Sequence, residues 1–327
     1  MKKGYAFAAL FLFWRFNVNA MYDIVGDIHG HYTLLVKLLK KLGYTKDGDV
    51  FRHPERKIIF TGDFINRGPK IRATVQLIRK MVEGGHAYTI LGNHELNAIL
   101  YATIDKSSGK SLQKHLPRYK LPLMKTLEEY QNYPEEFKDT IKWFRSLPVF
   151  LDFGNLRVVH GGWNEKNIST VQEYKNGEPK LKKSFLKAYL NNKELNNALN
   201  GLVKGLELQL PKDLLLKDSN GIVRRTFRIK WWEQPNGKTF SEVAFGNRFE
   251  LPAYTIPKEV LPEVTPYPND APPVFLGHYC LNKKAMIFQE NICCIDTCVV
   301  KSQRLTCYRW YGEQKLTEDH IVQASLA

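Results

Sequence analysis

The chain has 327 residues, 43% of them hydrophobic, with a formal net charge of +15. That length buries a full core and holds one large domain, or one domain with a sizeable insertion, and the composition is that of a soluble globule. No fixed-period repeat or low-complexity tail is present, and five cysteines, an odd number with Cys293 and Cys294 adjacent, exclude a disulfide framework. The positive charge is silent about fold. It favours anionic partners such as phosphates, nucleotides or RNA, with a solvated lysine surface as the plainer reading.

At the start, Met1-Lys2-Lys3 and the apolar Tyr5 to Trp14 have the look of a signal-peptide n-region and h-region, with Val18-Asn19-Ala20 as a cleavage site. The stretch is too short to span a bilayer. Trp14, Arg15 and the odd cysteine count argue against export. The favoured expectation is a translation start at Met21, which leaves residues 1–20 as an upstream extension and the protein in the cytoplasm; an exported protein is the alternative.

From Met21 the pattern alternates strand and helix. The apolar run Tyr22-Asp23-Ile24-Val25 stops at Gly26-Asp27-Ile28-His29-Gly30. Side chains alternate along a strand, so Asp27 and His29 fall on one face as two metal-ligand types. His31 to Leu42 carries Leu34, Leu35, Leu38, Leu39 and Leu42 on one helical face, and Gly43 ends it. Lys57 to Thr61 runs into Gly62-Asp63-Phe64-Ile65-Asn66-Arg67-Gly68-Pro69. Pro69 then suits the first turn of a helix whose stripe is Ile71, Val75, Ile78 and Val82, ended by Gly84-Gly85. Tyr88 to Leu91 runs into Gly92-Asn93-His94-Glu95, with a helix expected from Asn93 and Glu95 in its first turn.

Residues 103–147 read as helical and polar, with Trp143-Phe144 turned inward. Two strands follow, Val149 to Phe153 and Leu156 to Val159, the second running into His160-Gly161-Gly162. Residues 164–220 are lysine-rich and read as mostly helical, and 222–233 as a strand. Seven prolines in 252–273 exclude regular structure there. Val274-Phe275-Leu276 runs into Gly277-His278, and strands close the chain at Ala285 to Phe288, Ile292 to Ile295 and Arg304 to Trp310. Five apolar runs thus stop at glycine with Asp, Asn or His beside it, at the carboxyl ends of strands where α/β folds place their chemistry.

In this order the five junctions resemble the calcineurin-like metallophosphoesterases, and in particular their phosphoprotein-phosphatase branch. The likeness covers 21–103, 148–162 and 273–310. It implies an α/β fold of two mixed β-sheets packed as a sandwich and flanked by helices. The domain would span 21–327, with a helical insertion or cap at about 163–272. Carried over by position, Asp27, His29 and Asp63 would hold one divalent ion. Asp63, Asn93, His160 and His278 would hold another, with Asp63 bridging. Arg67 would grip a phosphate oxygen and His94 would be the general acid. Mixed carboxylate, imidazole and amide ligands suit Mn²⁺, or Fe or Zn²⁺, better than Mg²⁺. Two such ions can generate a bridging hydroxide at neutral pH for in-line attack on phosphorus.

The tail, Cys294-Ile295-Asp296-Thr297-Cys298 with Leu305 to Trp310, is similar to that of symmetrical dinucleoside tetraphosphatases and related bacterial serine/threonine phosphatases, which share Arg67-Gly68-Pro69. The glycines expected after Cys298 are absent, while His160-Gly161-Gly162 follows the protein phosphatases. Asn66 departs from that branch, which has aspartate there to pair with the catalytic histidine. Asn66 and Asp296 are thus expected behind the ligands, Asp296 either orienting a histidine or forming a turn.

Other candidates are weaker. Arg225, Arg228 and Arg248 are equal candidates for a second phosphate ligand. Arg228-Ile229-Lys230-Trp231-Trp232 mixes cations and aromatics as a nucleic-acid surface does, with packing as the plainer reading. Cys293, Cys294 and Cys298 fit no zinc finger and read as buried thiols. His31, His53, His86, His115 and His320 lie in no motif. The sequence therefore points to a metal-dependent phosphoric ester hydrolase acting on phosphomonoesters, phosphoserine and phosphothreonine included. The alternatives are a hydrolase of dinucleoside polyphosphates or RNA 5′ ends and, from another class, an inactive phosphate-binding scaffold, against which the complete ligand set argues.

Overall fold

A computed structural model describes residues 21–326, apart from 212, 213, 215, 218–222, 247–249, 263 and 282–284. The readings of residues 1–20 and of Arg248 lie outside the described residues. One five-stranded sheet has the order Ile321–Ser325, Arg304–Trp310, Met21–Val25, Arg56–Phe60, Ala87–Thr89. Its last three strands are parallel, and its first two are antiparallel to their neighbours. The second has the order Met286–Gln289, Ile292–Cys294, Val274–Leu276, Arg157–Val159, Phe150–Asp152, with a parallel centre and antiparallel edges.

Period-two alternation explains how these sheets pack. Tyr22, Ile24 and Ile59 from the first sheet meet Val158, Phe275 and Cys293 from the second in one buried cluster, the filling of a sandwich. The alternate residues Val25, Ile58 and Phe60 turn outward and join Leu35, Leu38, Val75 and Ile78 of the helices Tyr32–Lys41 and Ile71–Glu83. The fold is therefore α/β, two mixed sheets in a sandwich flanked by helices.

Long-range partners account for the departures from the sequence reading. The second helix begins at Ile71, two residues after Pro69, because the Glu129 carboxylate accepts the Ile71 and Arg72 N–H groups at 2.7 and 2.8 Å. Residues 103–116 are not helical: a bridge joins Ile104 to Ser111, and helices resume at Pro117–Lys120, Met124–Glu129 and Pro134–Phe144. The lysine-rich stretch is helical only to Lys204, as Glu165–Lys175, Lys183–Asn191 and Lys193–Lys204; Gly205, at φ 77°, stops it. Glu207–Gln209 then pairs with Thr226–Arg228. Trp231 and Trp232 are buried in a turn rather than displayed on a strand. The closing strand Ile321–Ser325 was not anticipated; its sequence is short and half polar, and its register comes from Arg304–Trp310. No helix among the described residues is long and apolar enough to cross a membrane.

At the end of the first sheet away from the strand carboxyl termini lies a buried ion-pair network. Arg56 donates from Nε to Asp23 Oδ1 at 3.0 Å and from Nη2 to the Tyr22 and Trp310 carbonyls at 2.7 and 2.9 Å; Arg309 Nε also reaches Asp23, at 3.1 Å. Arg56→Met would leave a fully buried carboxylate with half its support. The expected loss is about 3–5 kcal/mol of stability, with kcat unchanged for protein that remains folded. Urea unfolding alongside steady-state kinetics checks it; a loss under 1 kcal/mol would show the network to be dispensable.

Candidate metal centre

The carboxyl ends of five strands deliver Asp27, Asp63, Asn93, His160 and His278 to one buried place, and His29 joins from the turn after Asp27. Several of these positions hold left-handed backbone: φ is 45° at His29, 50° at Asp63, 69° at Asn66, 64° at Arg67 and 69° at His278. Non-glycine residues there carry roughly 1 kcal/mol of strain or more each, sustained by surrounding bonds. The glycines allow close approach. A Cβ on Gly92 would strike Asp63 Oδ1 and N, and one on Gly277 would strike Asp27 Oδ1.

Asp63 is central. Its Oδ2 stands 4.0 Å from His29 Nε2, 3.8 Å from His94 Nε2 and 3.3 Å from His160 Nε2. Asp27 Oδ2 is also 4.0 Å from His29 Nε2. Backbone carbonyls fix the ring faces: His29 Nδ1 donates to Ile65 O at 2.8 Å and His160 Nδ1 to Thr61 O at 2.6 Å, freeing both Nε2 atoms to ligate. Asn93 Oδ1 lies 3.2 Å from His160 Nε2 and 2.8 Å from His278 Nδ1. Asp27 in turn accepts the His278 N–H at 3.1 and 3.2 Å, tying the first junction to the last.

Electrostatics shows what these atoms lack. Burial, followed by the Asp296 carboxylate, lifts the Asp27 pKa well above the usual range; Asp63 adds to this and His160 opposes it. Burial also pushes Asp63 up, but His160, His94 and His29 outweigh it and hold that carboxyl well below the usual range. His160 is driven up to about 10, the Asp63 and Asp27 carboxylates overcoming its burial. Two buried acids, Asp27 and Asp63, facing imidazoles form a pocket that divalent cations would neutralise. Two groups of side chains lie close enough to hold an ion each, His29 with Asp63 and His94, and Asp63 with His160 and His278, and Asp27 and Asn93 stand beside them.

Arg67 and His94 lie on the His29 side. Arg67 Nη1 is 3.1 Å from His29 Nε2 and its Nη2 is 3.2 Å from His94 Nε2. Burial lowers the His94 pKa to about 4, with Asp63 opposing and Arg67 reinforcing. Behind it, the Thr126 hydroxyl accepts the Asn66 N–H at 3.1 Å and donates to Asn66 Oδ1 at 2.6 Å. The Asn66 amide nitrogen is then left to donate to His94 Nδ1, at 2.6 Å.

The sequence missed several supports. Glu95, which read as a dipole partner, is fully buried and accepts four backbone N–H groups: Asp63 at 2.9 Å, Phe64 at 3.0 Å, and Ile65 and Gly92 at 3.2 Å. Burial and then the Asp63 carboxylate push its pKa up, while His160 and the four donors aimed at its two oxygens favour the carboxylate. Its place three residues after Gly92 was the available signal. Thr126 lies 60 residues from Asn66 and left no signal. Asp296 accepts the Cys298 and Cys280 N–H groups at 2.8 and 2.5 Å, so its oxygens hold the loop after His278 and not a histidine ring. That clamp sets Cys280 beside Cys298, and the two form a disulfide; the reading of Cys298 as a free thiol is corrected, while Cys293 and Cys294 are buried thiols. Arg225 is exposed and Arg228 half-buried.

Comparison with known proteins agrees with this geometry. The asymmetrical bis(5′-nucleosyl)-tetraphosphatase of Geobacillus sp. (strain WCH70) is 34% identical over 168 residues, 46% of this chain and 64% of that one. The symmetrical bis(5′-nucleosyl)-tetraphosphatase of Buchnera aphidicola subsp. Baizongia pistaciae (strain Bp) is 38% identical over 127 residues, 38% of this chain and 37% of that one. The match thus spans less than two thirds of either relative's length. Among solved structures, the cold-active protein-tyrosine phosphatase of a psychrophilic Shewanella species shares the fold. Its TM-score is 0.50 at 17% identity, over 94% of this chain and 80% of that one. The sequence profile of the calcineurin-like phosphoesterases matches residues 22–278. With the five strand-end junctions converging as described, the chain belongs to the calcineurin-like phosphoesterase family.

Proposed function

We propose that this protein is a dimetal-dependent phosphohydrolase whose preferred substrates are phosphoanhydrides of the dinucleoside polyphosphate class. Two divalent ions, Mn²⁺ by preference, would supply Lewis acidity for activating water and neutralising phosphoryl charge. The chain's residues do the rest. Arg67 binds a phosphoryl oxygen through its two Nη groups and orients the phosphorus. Because His94 Nδ1 accepts from Asn66, the imidazole proton sits on Nε2, facing Arg67 Nη2 at 3.2 Å. Two donors aimed at one another need an acceptor, and an oxygen of the substrate entering there is bonded by both.

The hydrogen bond from Asn66 to His94 carries the choice of substrate. An imidazolium needs Nδ1–H, which would face the Asn66 amide donor and force it to give up Thr126. His94 is therefore a hydrogen-bond donor rather than a ready source of protons. Leaving groups stable as anions, such as nucleotides and aryl oxides, depart without a proton; a serine alkoxide does not. The names of the tetraphosphatase relatives accord with this reading.

Asn66→Asp tests it. An aspartate accepts from Nδ1–H and favours the imidazolium. Turnover of a phosphoserine peptide is expected to rise about tenfold relative to an aryl phosphate. Equal effects on both substrates would assign the proton to another group and return phosphomonoesters of protein to the first rank.

A further inference from the structure

The chain between the helices Asn93–Ala102 and Pro117–Lys120 supplies nothing to the metal centre, yet it is firmly built. The Asp105 N–H donates to Lys110 O and the Leu112 N–H to Thr103 O, both at 2.8 Å, closing a hairpin over residues 103–112. The Ser111 hydroxyl donates to Tyr101 O at 2.5 Å and His115 Nε2 to the same carbonyl at 3.1 Å, which caps the preceding helix. The helix Lys183–Asn191 lies against this hairpin. It is tied there by Lys183 Nζ, which donates to Ile104 O at 3.1 Å, and by Lys187 Nζ, 2.8 Å from Asp105 Oδ1. Between them runs a cleft of about 930 Å³. It stands at the far end of the helix that starts with Asn93 and His94, about 15 Å along the axis.

Three features of the cleft define what fits it. Lys110 and Lys114 line it, both exposed and without an ion-pair partner among the described residues. Its one acid, Asp105, is already held by Lys187 and by the Ser107 N–H and hydroxyl. Lys106, Arg118 and Lys120 extend the same charge along residues 104–120, where no second acid stands. Aliphatic side chains lie among these cations: Ile104 and Leu190, both in the lining, are 46% and 40% exposed, and the adjoining Leu116 is 39% exposed. Gln113, also in the lining, has a buried Oε1 with no hydrogen-bond partner, an acceptor that lacks a donor.

A polypeptide supplies all three complements at once: carboxylates for the lysines, apolar side chains for Ile104 and Leu190, and a backbone N–H for Gln113. Single-stranded nucleic acid would match the charge, but it binds by stacking bases on aromatic faces. The aromatic pair here, Tyr101 and His115, is stacked on itself at 3.9 Å between ring centres, and the exposed apolar side chains are aliphatic. A second copy of this chain, at +15, would meet the cleft with like charge.

We propose that the cleft between residues 104–115 and the helix Lys183–Asn191 is a docking site for an acidic segment of a partner protein, one with apolar side chains set among its carboxylates. Lys110 and Lys114 pair with the carboxylates, while Ile104 and Leu190 seat the apolar side chains. A partner held there leaves the metal centre open, so docking places the enzyme on its partner without competing with substrate.

The probe is a fluorescein-labelled peptide of about twelve residues in which glutamate and leucine alternate, titrated with the metal-loaded enzyme and read by anisotropy. Wild type is expected to bind it, and Lys110→Glu/Lys114→Glu to bind it at least about tenfold more weakly. Ile104→Ser/Leu190→Ser should also weaken it about tenfold, while changing the binding of a glutamate–serine peptide by less than about twofold. Circular dichroism checks that both variants are folded, and their turnover of p-nitrophenyl phosphate should match wild type. Saturating peptide should leave that turnover unchanged as well. Absence of binding by wild type, or unchanged binding in either double variant, overturns the docking site. Competitive inhibition of aryl phosphate turnover does so too, because it puts the peptide in the metal centre. A labelled oligouridylate of the same length that binds more tightly than the peptide overturns it in favour of nucleic acid.

Discussion

Asp63→Ala is expected to lose its bound metal and to lower kcat by roughly 10³-fold or more, with the fold intact. The reason is the position of one oxygen: Asp63 Oδ2 faces His29, His94 and His160 at 3.3–4.0 Å, so it belongs to both groups of side chains that would hold an ion. Asp27, the other acid of the pocket, is already tied to the His278 backbone. Without Asp63, two sets of ligands remain that no longer share a charge. Metal analysis of the purified variant, circular dichroism and turnover with added Mn²⁺ check the three parts. Stoichiometric metal with normal turnover would remove Asp63 from the centre.

The second large effect belongs to Glu95. Its two oxygens accept N–H groups from Asp63, Phe64, Ile65 and Gly92, so one carboxylate holds two of the metal-site loops in register. Glu95→Gln replaces one acceptor with a donor and leaves buried N–H groups facing an NH₂. About 3 kcal/mol of stability should go, at the usual 1–3 kcal/mol for each stranded group. The displaced Asp63 should cost roughly 10²-fold in kcat as well, because catalysis is sensitive to shifts of about an ångström. Urea unfolding and kinetics measured below the unfolding transition separate the two. A variant that is destabilised yet retains full kcat would make Glu95 a structural residue only.

Much of this site is written locally. Each junction, from Gly26-Asp27-Ile28-His29 to Gly277-His278, joins an apolar run to a glycine and a side chain of metal-ligand type, so strand, turn and candidate ligand are visible within a few residues. The helical stripes Leu34-Leu35-Leu38-Leu39 and Ile71-Val75-Ile78 are legible for the same reason. What stays hidden is what arrives from far along the chain. Glu129 caps a helix 58 residues before it, Thr126 sets the Asn66 amide from 60 residues away, and Asp296 draws Cys280 to Cys298. The strand Ile321–Ser325 and the short pair Glu207–Gln209 with Thr226–Arg228 take their register from partners and carry little pattern of their own.

The central claim is that a dimetal site with an Asn-paired His94 prefers phosphoanhydrides. The most direct measurement is kcat/KM of the Mn²⁺-loaded wild-type enzyme for a dinucleoside tetraphosphate and for a phosphoserine peptide, side by side in one buffer. A ratio of at least ~10² in favour of the tetraphosphate is the expected result, since an unassisted alkoxide leaving group forfeits the 10²–10⁴-fold of general-acid catalysis. A ratio near one, or in favour of the peptide, would contradict the account.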